Sequence, residues 1–157
     1  MEHVEGESLD KSIKRIANLK TASEAEENLK TIMRVGEIFA KVHALDISLG
    51  DTKPENVMVG KRGEIYLVDL EQASRNGDKV WDVAEFLYYT GHYFSPFSGK
   101  RMAEVIVKSF IGGYLKAGGN ASVVKKAGDP KYTRVFSVFT SPLIMFAISG
   151  ICRKQRS

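Results

Sequence analysis

Three residues in the stretch LGDTKPENVMVGKRGEIYLVDLE (Leu49–Glu71) carry oxygen donors at spacings that suit a chemical task. Asp51 is followed five positions later by Asn56 and eighteen positions later by Asp69. Folded together by a turn, two acids and an amide make a hard, oxygen-rich site. Such donor sets suit magnesium, which takes one or two carboxylates and leaves room for phosphate oxygens and water. Phosphoryl transfer has this requirement: a metal to gather phosphate charge and a carboxylate to accept the attacking hydroxyl's proton. Lys53, two positions after Asp51, would supply a cation toward the transferred phosphate. Residue types alone leave a second reading open with equal weight, in which Asp51 and Asn56 only satisfy turn backbone.

The elements that must position these residues are legible in outline. Asn56–Val59 and Glu64–Asp69 are short β-type runs joined by Gly60-Lys61-Arg62-Gly63, which predicts a hairpin. Before it, Met1–Gly6 is extended, and Leu9, Ile13, Ile16 and Ala17 recur at helical spacing. A longer helix follows, with Thr21 or Ser23 as its cap and Leu29, Ile32, Met33, Phe39 and Val42 as its apolar stripe, ending near Leu45. After the hairpin, Val80–Tyr89 and Arg101–Leu115 are helical, and Ala117-Gly118-Gly119-Asn120 ends the second.

Composition sets the outer bounds. At 157 residues, 43% hydrophobic and 27% charged, the chain has the make-up of one ordinary globular domain. The single cysteine, Cys152, cannot form an intrachain disulfide, and no Cys/His cluster suggests zinc, so a reducing, cytoplasmic setting is the expectation. The net charge of +4 (23 − 19) does not imply nucleic-acid binding. Lys125, Lys126, Lys131 and Arg134, and the tail residues Arg153, Lys154 and Arg156, read as solvated surface charge. Val135–Cys152 is free of charge for 18 residues, the lower limit for a membrane span. Thr140-Ser141-Pro142 divides it with a helix cap and a proline at the first helical position, so two short buried helices and no membrane span are expected.

Asp51-Thr52-Lys53-Pro54-Glu55-Asn56 resembles the catalytic loop of protein kinases, and Val68-Asp69-Leu70-Glu71 resembles their metal-binding motif at a strand end. By that resemblance Asp51 is the catalytic base, Lys53 a phosphate contact, and Asn56 and Asp69 the ligands of magnesium or manganese, with ATP as substrate. Val42-His43 is similar to the end of the helix preceding that loop, and Trp81-Asp82-Val83-Ala84-Glu85-Phe86 to the start of the long helix after it. His43 and Asp82 are therefore read as structural supports, Asp82 bonding the loop backbone. Residues 1–8, beginning Met1-Glu2-His3-Val4-Glu5-Gly6, look like the hinge between two kinase lobes. The match puts the backbones of Glu2 and Val4 against adenine and Met58 on the floor of its pocket. Residues 9–157 would form one kinase-like C-terminal lobe, mainly α with a small β-hairpin.

Departures from the pattern narrow the resemblance. Leu49-Gly50 stands where typical protein kinases have His-Arg, and Leu70-Glu71 stands where they have Phe-Gly. Asp69 and Asp82 are thirteen positions apart (82 − 69), too close for a long activation segment. A short segment is similar to the small atypical kinases, the KEOPS-associated, RIO, lipopolysaccharide and aminoglycoside kinases, and the hinge-like residues and basic tail lean toward the archaeal-type, KEOPS-associated/RIO-like serine/threonine members. No GxGxxG loop occurs, so the chain looks like a C-lobe alone, expected to bind nucleotide weakly and to turn over little by itself. Its apolar face next to the site would take an N-lobe, a second copy or a complex partner. The phosphoryl acceptor would be an unidentified protein or small molecule. Two alternatives remain: a non-catalytic, partner-binding kinase-like module, and a small-molecule kinase of the aminoglycoside or lipopolysaccharide type. Only 75 residues follow Asp82 (157 − 82), which favours the compact atypical kinases over the last.

Overall fold

The computed structural model describes residues 5–19 and 22–156. The chain is mainly helical, 63% helix in seven helices among the described residues, with a small antiparallel sheet. Strand β1 (Gly6–Ser8) leads into α1 (Leu9–Ala17) and the long α2 (Ala22–Ala44). Then come β2 (Ile47–Ser48), β3 (Val57–Gly60), β4 (Ile65–Leu67) and β5 (Ser74–Arg75). Helices α3 (Lys79–His92), α4 (Lys100–Lys116), α5 (Ala121–Ala127), α6 (Pro130–Phe136) and α7 (Pro142–Arg153) complete the chain.

The hairpin expected around Gly60–Gly63 is present: Val57 pairs with Leu67, Met58 with Tyr66 and Val59 with Ile65. Strand β1 joins the other edge of β3, with Gly6 opposite Gly60 and Ser8 opposite Met58. A second, two-stranded sheet pairs Ile47 with Arg75 and Ser48 with Ser74. The chain thus leaves β2, runs through the Asp51 loop and the hairpin, and returns beside β2 at β5. Asn56 differs from expectation. It closes a single 3-10 turn, Pro54–Asn56, because Pro54 fixes its own φ at the head of that turn; the strand begins one residue later.

Helices α2, α3 and α4 surround an aromatic core. The Phe39 ring meets Phe86 at 5.4 Å and Phe110 at 5.2 Å, and Phe86 stacks on Phe110 at 4.6 Å. Close approach of α2 to α4 depends on two glycines facing the opposite backbone. A methyl on Gly36 would meet the Phe110 carbonyl, and one on Gly113 would meet the Met33 carbonyl. Helix α3 runs three residues beyond the expected Tyr89, since α7 packs Ile144 and Ile148 against Gly91 in its last turn. The Ser141-Pro142 start of α7 is as expected, the Ser141 hydroxyl accepting from the Ile144 N–H at 3.4 Å. Helix α6, by contrast, begins at Pro130, five residues before the apolar run. Ser23 lies inside the first turn of α2 rather than capping it, and Thr21 lies outside the described residues. Among the described residues no helix is long and apolar enough to cross a membrane.

Candidate functional site

Asp82, in the first turn of α3 and fully buried, anchors the Asp51 loop from below. Its carboxylate accepts from the Leu49 N–H at 2.6 Å, the Gly50 N–H at 2.8 Å and His43 Nε2 at 2.8 Å. A carboxylate only accepts, so Nε2 donates to it, and Nδ1 is hydrogen-bonded to the Tyr114 hydroxyl at 2.8 Å. The same turn binds the loop twice more: the Thr52 hydroxyl donates to the Asp82 carbonyl at 2.7 Å, and the Trp81 indole donates to the Gly50 carbonyl at 3.2 Å. His43 and Asp82 are therefore buried and fully engaged with other protein groups. The Tyr114 hydroxyl is pushed up to about 12, mainly by burial and secondarily by the Asp82 charge.

Gly50 explains one departure from the kinase pattern. Its φ is +82°, and a methyl there would run into the Gln72 carbonyl. The left-handed turn and the close approach both require glycine, and they clamp the loop to the residues just after Asp69. An arginine at this position has no room.

Asp51 and Asn56 line one narrow cleft of about 10 Å³, together with Leu67, Val68, Leu70 and the core residue Phe39. That volume holds roughly one water-sized atom. The Asn56 amide nitrogen donates to the Asp51 carbonyl at 3.4 Å. The Val68 N–H bonds to the Asn56 carbonyl at 3.0 Å, so Asp69 follows directly from a residue tied to Asn56. Asp69 is exposed, sits between two lining residues of the cleft, and has a left-handed φ of 57°. Aspartate tolerates this conformation better than most side chains, at a cost of up to about 1 kcal/mol.

Asn56, lining the cleft, and exposed Asp69, between two of its lining residues, carry oxygen donors of the type a hard divalent cation takes. Among the described residues no three His, Cys, Asp or Glu side chains cluster as a metal site on their own, so the expected set depends on the Asn56 oxygen. Met58 is half-buried on β3, opposite Tyr66 and Ser8. Glu2 and Val4 lie outside the described residues. Two larger hollows, about 490 Å³ between α4 and α7 and about 240 Å³ beside His43, contain none of Asp51, Asn56 or Asp69.

Lys53 Nζ lies 3.8 Å from Asp51 Oδ1 and 5.6 Å from the centre of the Tyr89 ring. Partial burial works against its charge, but Asp51, Tyr89, Glu85 and Glu55 outweigh that and raise its pKa above the ordinary lysine value. Glu85 went unassigned in the motif comparison. It is 5% exposed, on α3 one turn after Asp82, and accepts from the Thr52 N–H at 2.6 Å. Burial pushes its pKa up to about 7; the Thr52 N–H opposes the rise and the adjoining Asp51 carboxyl adds to it. The sequence signal was an acid in the buried run Val83-Ala84-Glu85-Phe86-Leu87, where a charge needs a partner.

The apolar face expected next to the site is modest, with Tyr66 and Leu70 exposed; other exposed apolar residues lie apart from it, Leu45 after α2, Phe97 before α4, and Val138, Leu143 and Phe146 around the α6–α7 connection. The basic residues Lys125, Lys126, Lys131 and Arg134 are exposed, as expected. Comparison with models of known protein families, with curated protein sequences and with solved structures finds no match.

Proposed function

We propose that the chain is the catalytic lobe of a magnesium- and ATP-dependent phosphotransferase, of the atypical serine/threonine kinase kind. The observation that carries this reading is the lining of one ion-sized cleft by Asp51, Asn56 and the two neighbours of Asp69, on a loop anchored at consecutive backbone N–H groups by Asp82. Anchoring of this kind supports catalysis, because a base displaced by about 1 Å loses much of its rate advantage. In this reading Asp51 takes the proton of the acceptor hydroxyl while that oxygen bonds to the γ-phosphorus. The bond from phosphorus to the bridging oxygen breaks, and ADP leaves with the electron pair. Asn56 and Asp69 would hold magnesium, which when bound neutralises charge on the phosphate oxygens. Lys53, charged and beside Asp51, offsets the charge of the transferred group. With room for only one small ion in the cleft, the nucleotide phosphates would lie across its mouth. Met58 and the backbones of Glu2 and Val4 are proposed to meet adenine, and the acceptor is proposed to be a serine or threonine hydroxyl of a cytoplasmic protein.

Calorimetric titration of ATP with and without magnesium, repeated on Asp69→Ala, tests the reading. Binding that requires magnesium and weakens about tenfold or more in the variant supports it, a loss of about 1.4 kcal/mol. Magnesium-independent binding that ignores the substitution overturns the metal assignment.

A further inference from the structure

Asp51 Oδ1 is buried and has no hydrogen-bond partner. A buried acceptor without a donor carries its whole desolvation cost, so the groups around it need an account. Lys53 Nζ, at 3.8 Å, is too far for a hydrogen bond. The Thr52 N–H is already given to Glu85 Oε1. The Asn56 amide nitrogen is given to the Asp51 backbone carbonyl, not to the side chain. Asp82 is committed to Leu49, Gly50 and His43. What remains beside Asp51 is the Glu85 carboxyl, whose Oε1 accepts from the Thr52 N–H and which adjoins the Asp51 side chain.

We propose that Glu85 retains a proton and donates it in a hydrogen bond to Oδ1 of Asp51, making Glu85 the positioning residue of the base. Two ionised carboxylates in contact would place like charges in a buried site, whereas one proton between them gives each oxygen a partner. Glu85 then spans two loop positions at once, accepting from the backbone of residue 52 and donating to the side chain of residue 51. Oδ1 is committed, and Oδ2 is left as the basic oxygen facing the acceptor hydroxyl. The upward push on Glu85 from burial and from Asp51 agrees with a retained proton, and Lys53 is the cation that opposes it. The proposal rests on Asp51 being the base for its catalytic meaning, but the shared proton is a property of the chain itself.

Its test is a pH titration of the Glu85 side-chain carboxyl by carbon-13 NMR on the purified chain and on Asp51→Asn. The expected wild-type midpoint is about 7, and with the neighbouring carboxyl removed it should fall by about one unit or more. Glu85→Gln supplies an independent arm, because its amide can accept from Thr52 and donate to Asp51 at every pH. Its melting temperature should stay level between about pH 5 and pH 8 while that of the wild type declines. A wild-type midpoint in the ordinary glutamate range, or one indifferent to Asp51→Asn, overturns the proposal. Neither readout needs nucleotide: a neutral Glu85 in a chain that fails to bind magnesium-ATP would leave this inference standing and the phosphotransferase reading fallen, and the reverse result would do the opposite.

Discussion

Removing the Asp82 carboxylate should cost about 4 kcal/mol of stability. Asp82→Ala strips acceptors from the Leu49 N–H, the Gly50 N–H and His43 Nε2, now held at 2.6, 2.8 and 2.8 Å. Leu49 and His43 are each 4% exposed, so water cannot replace the lost partner without local opening. Each buried donor left unpaired costs about 1–3 kcal/mol, while half-buried Gly50 recovers part of its share from solvent. Taking about 1.5–2 for each buried donor and about 0.5 for Gly50 gives about 4 kcal/mol, within the range of about 3–5 for breaking a buried charged pair. A domain of this size has about 5–15 kcal/mol in all, so the variant should fold in water. Urea unfolding should be followed by circular dichroism and by Trp81 fluorescence, since the Trp81 indole is bonded to the loop at Gly50. With a slope of about 2 kcal/mol per molar, the midpoint should fall by about 2 M. Lys61→Ala, which breaks the exposed Lys61–Glu5 pair at 3.0 Å, is the control and should change stability by less than about 0.5 kcal/mol. A loss below about 1 kcal/mol in Asp82→Ala would refute the anchoring role.

Other substitutions and conditions carry their own expectations. Gly50→Ala meets the Gln72 carbonyl and a φ of +82°, so it should lose about 2–3 kcal/mol in the same assay and weaken nucleotide binding by detaching the loop from the Asp69 segment. Glu85 has a folded pKa raised to about 7 from 4.5. The sign follows: the folded state holds this proton more tightly, so the contribution is complete below about pH 4.5 and is lost as pH rises through about 7. Between about pH 5 and pH 8 the wild type should lose about 2 kcal/mol, and Glu85→Gln should lose none of it, as read from urea midpoints across that range. Phe110→Ala, in the centre of the aromatic core, should cost about 3–5 kcal/mol; an effect under about 1 would mean the α2–α3–α4 core is packed otherwise.

The parts of the fold legible in the sequence are those governed by near neighbours. The hairpin announced itself through Gly60 and Gly63 between alternating apolar runs, and the start of α7 through Ser141-Pro142. Asn56 was misassigned to a strand because Pro54 imposes a turn that its β-favouring neighbours mask. Long-range approaches left no mark in local pattern. Gly36 and Gly113 look like weaknesses in two helices until the helices meet at those points. Gly50 likewise looked like a substitution away from a motif, and its cause, the Gln72 carbonyl, lies more than twenty residues along the chain. In the candidate site, the oxygen donors were evident from type and spacing. Glu85 was hidden in plain view beside Asp82: its importance depends on a carboxyl and a backbone N–H from another segment, and spacing does not report either.

The central claim is the proposed ion site: a divalent cation held by Asn56 and Asp69 beside the loop that carries Asp51. Manganese, which takes the same oxygen donors as magnesium and broadens nearby resonances, locates that ion directly in an amide-resolved NMR spectrum recorded with ATP. The account predicts broadening concentrated on Asp51, Asn56 and Val68–Leu70, and its loss in Asp69→Ala. Broadening centred elsewhere, such as on the exposed acids Asp46 and Asp78, or no broadening at all, would contradict it.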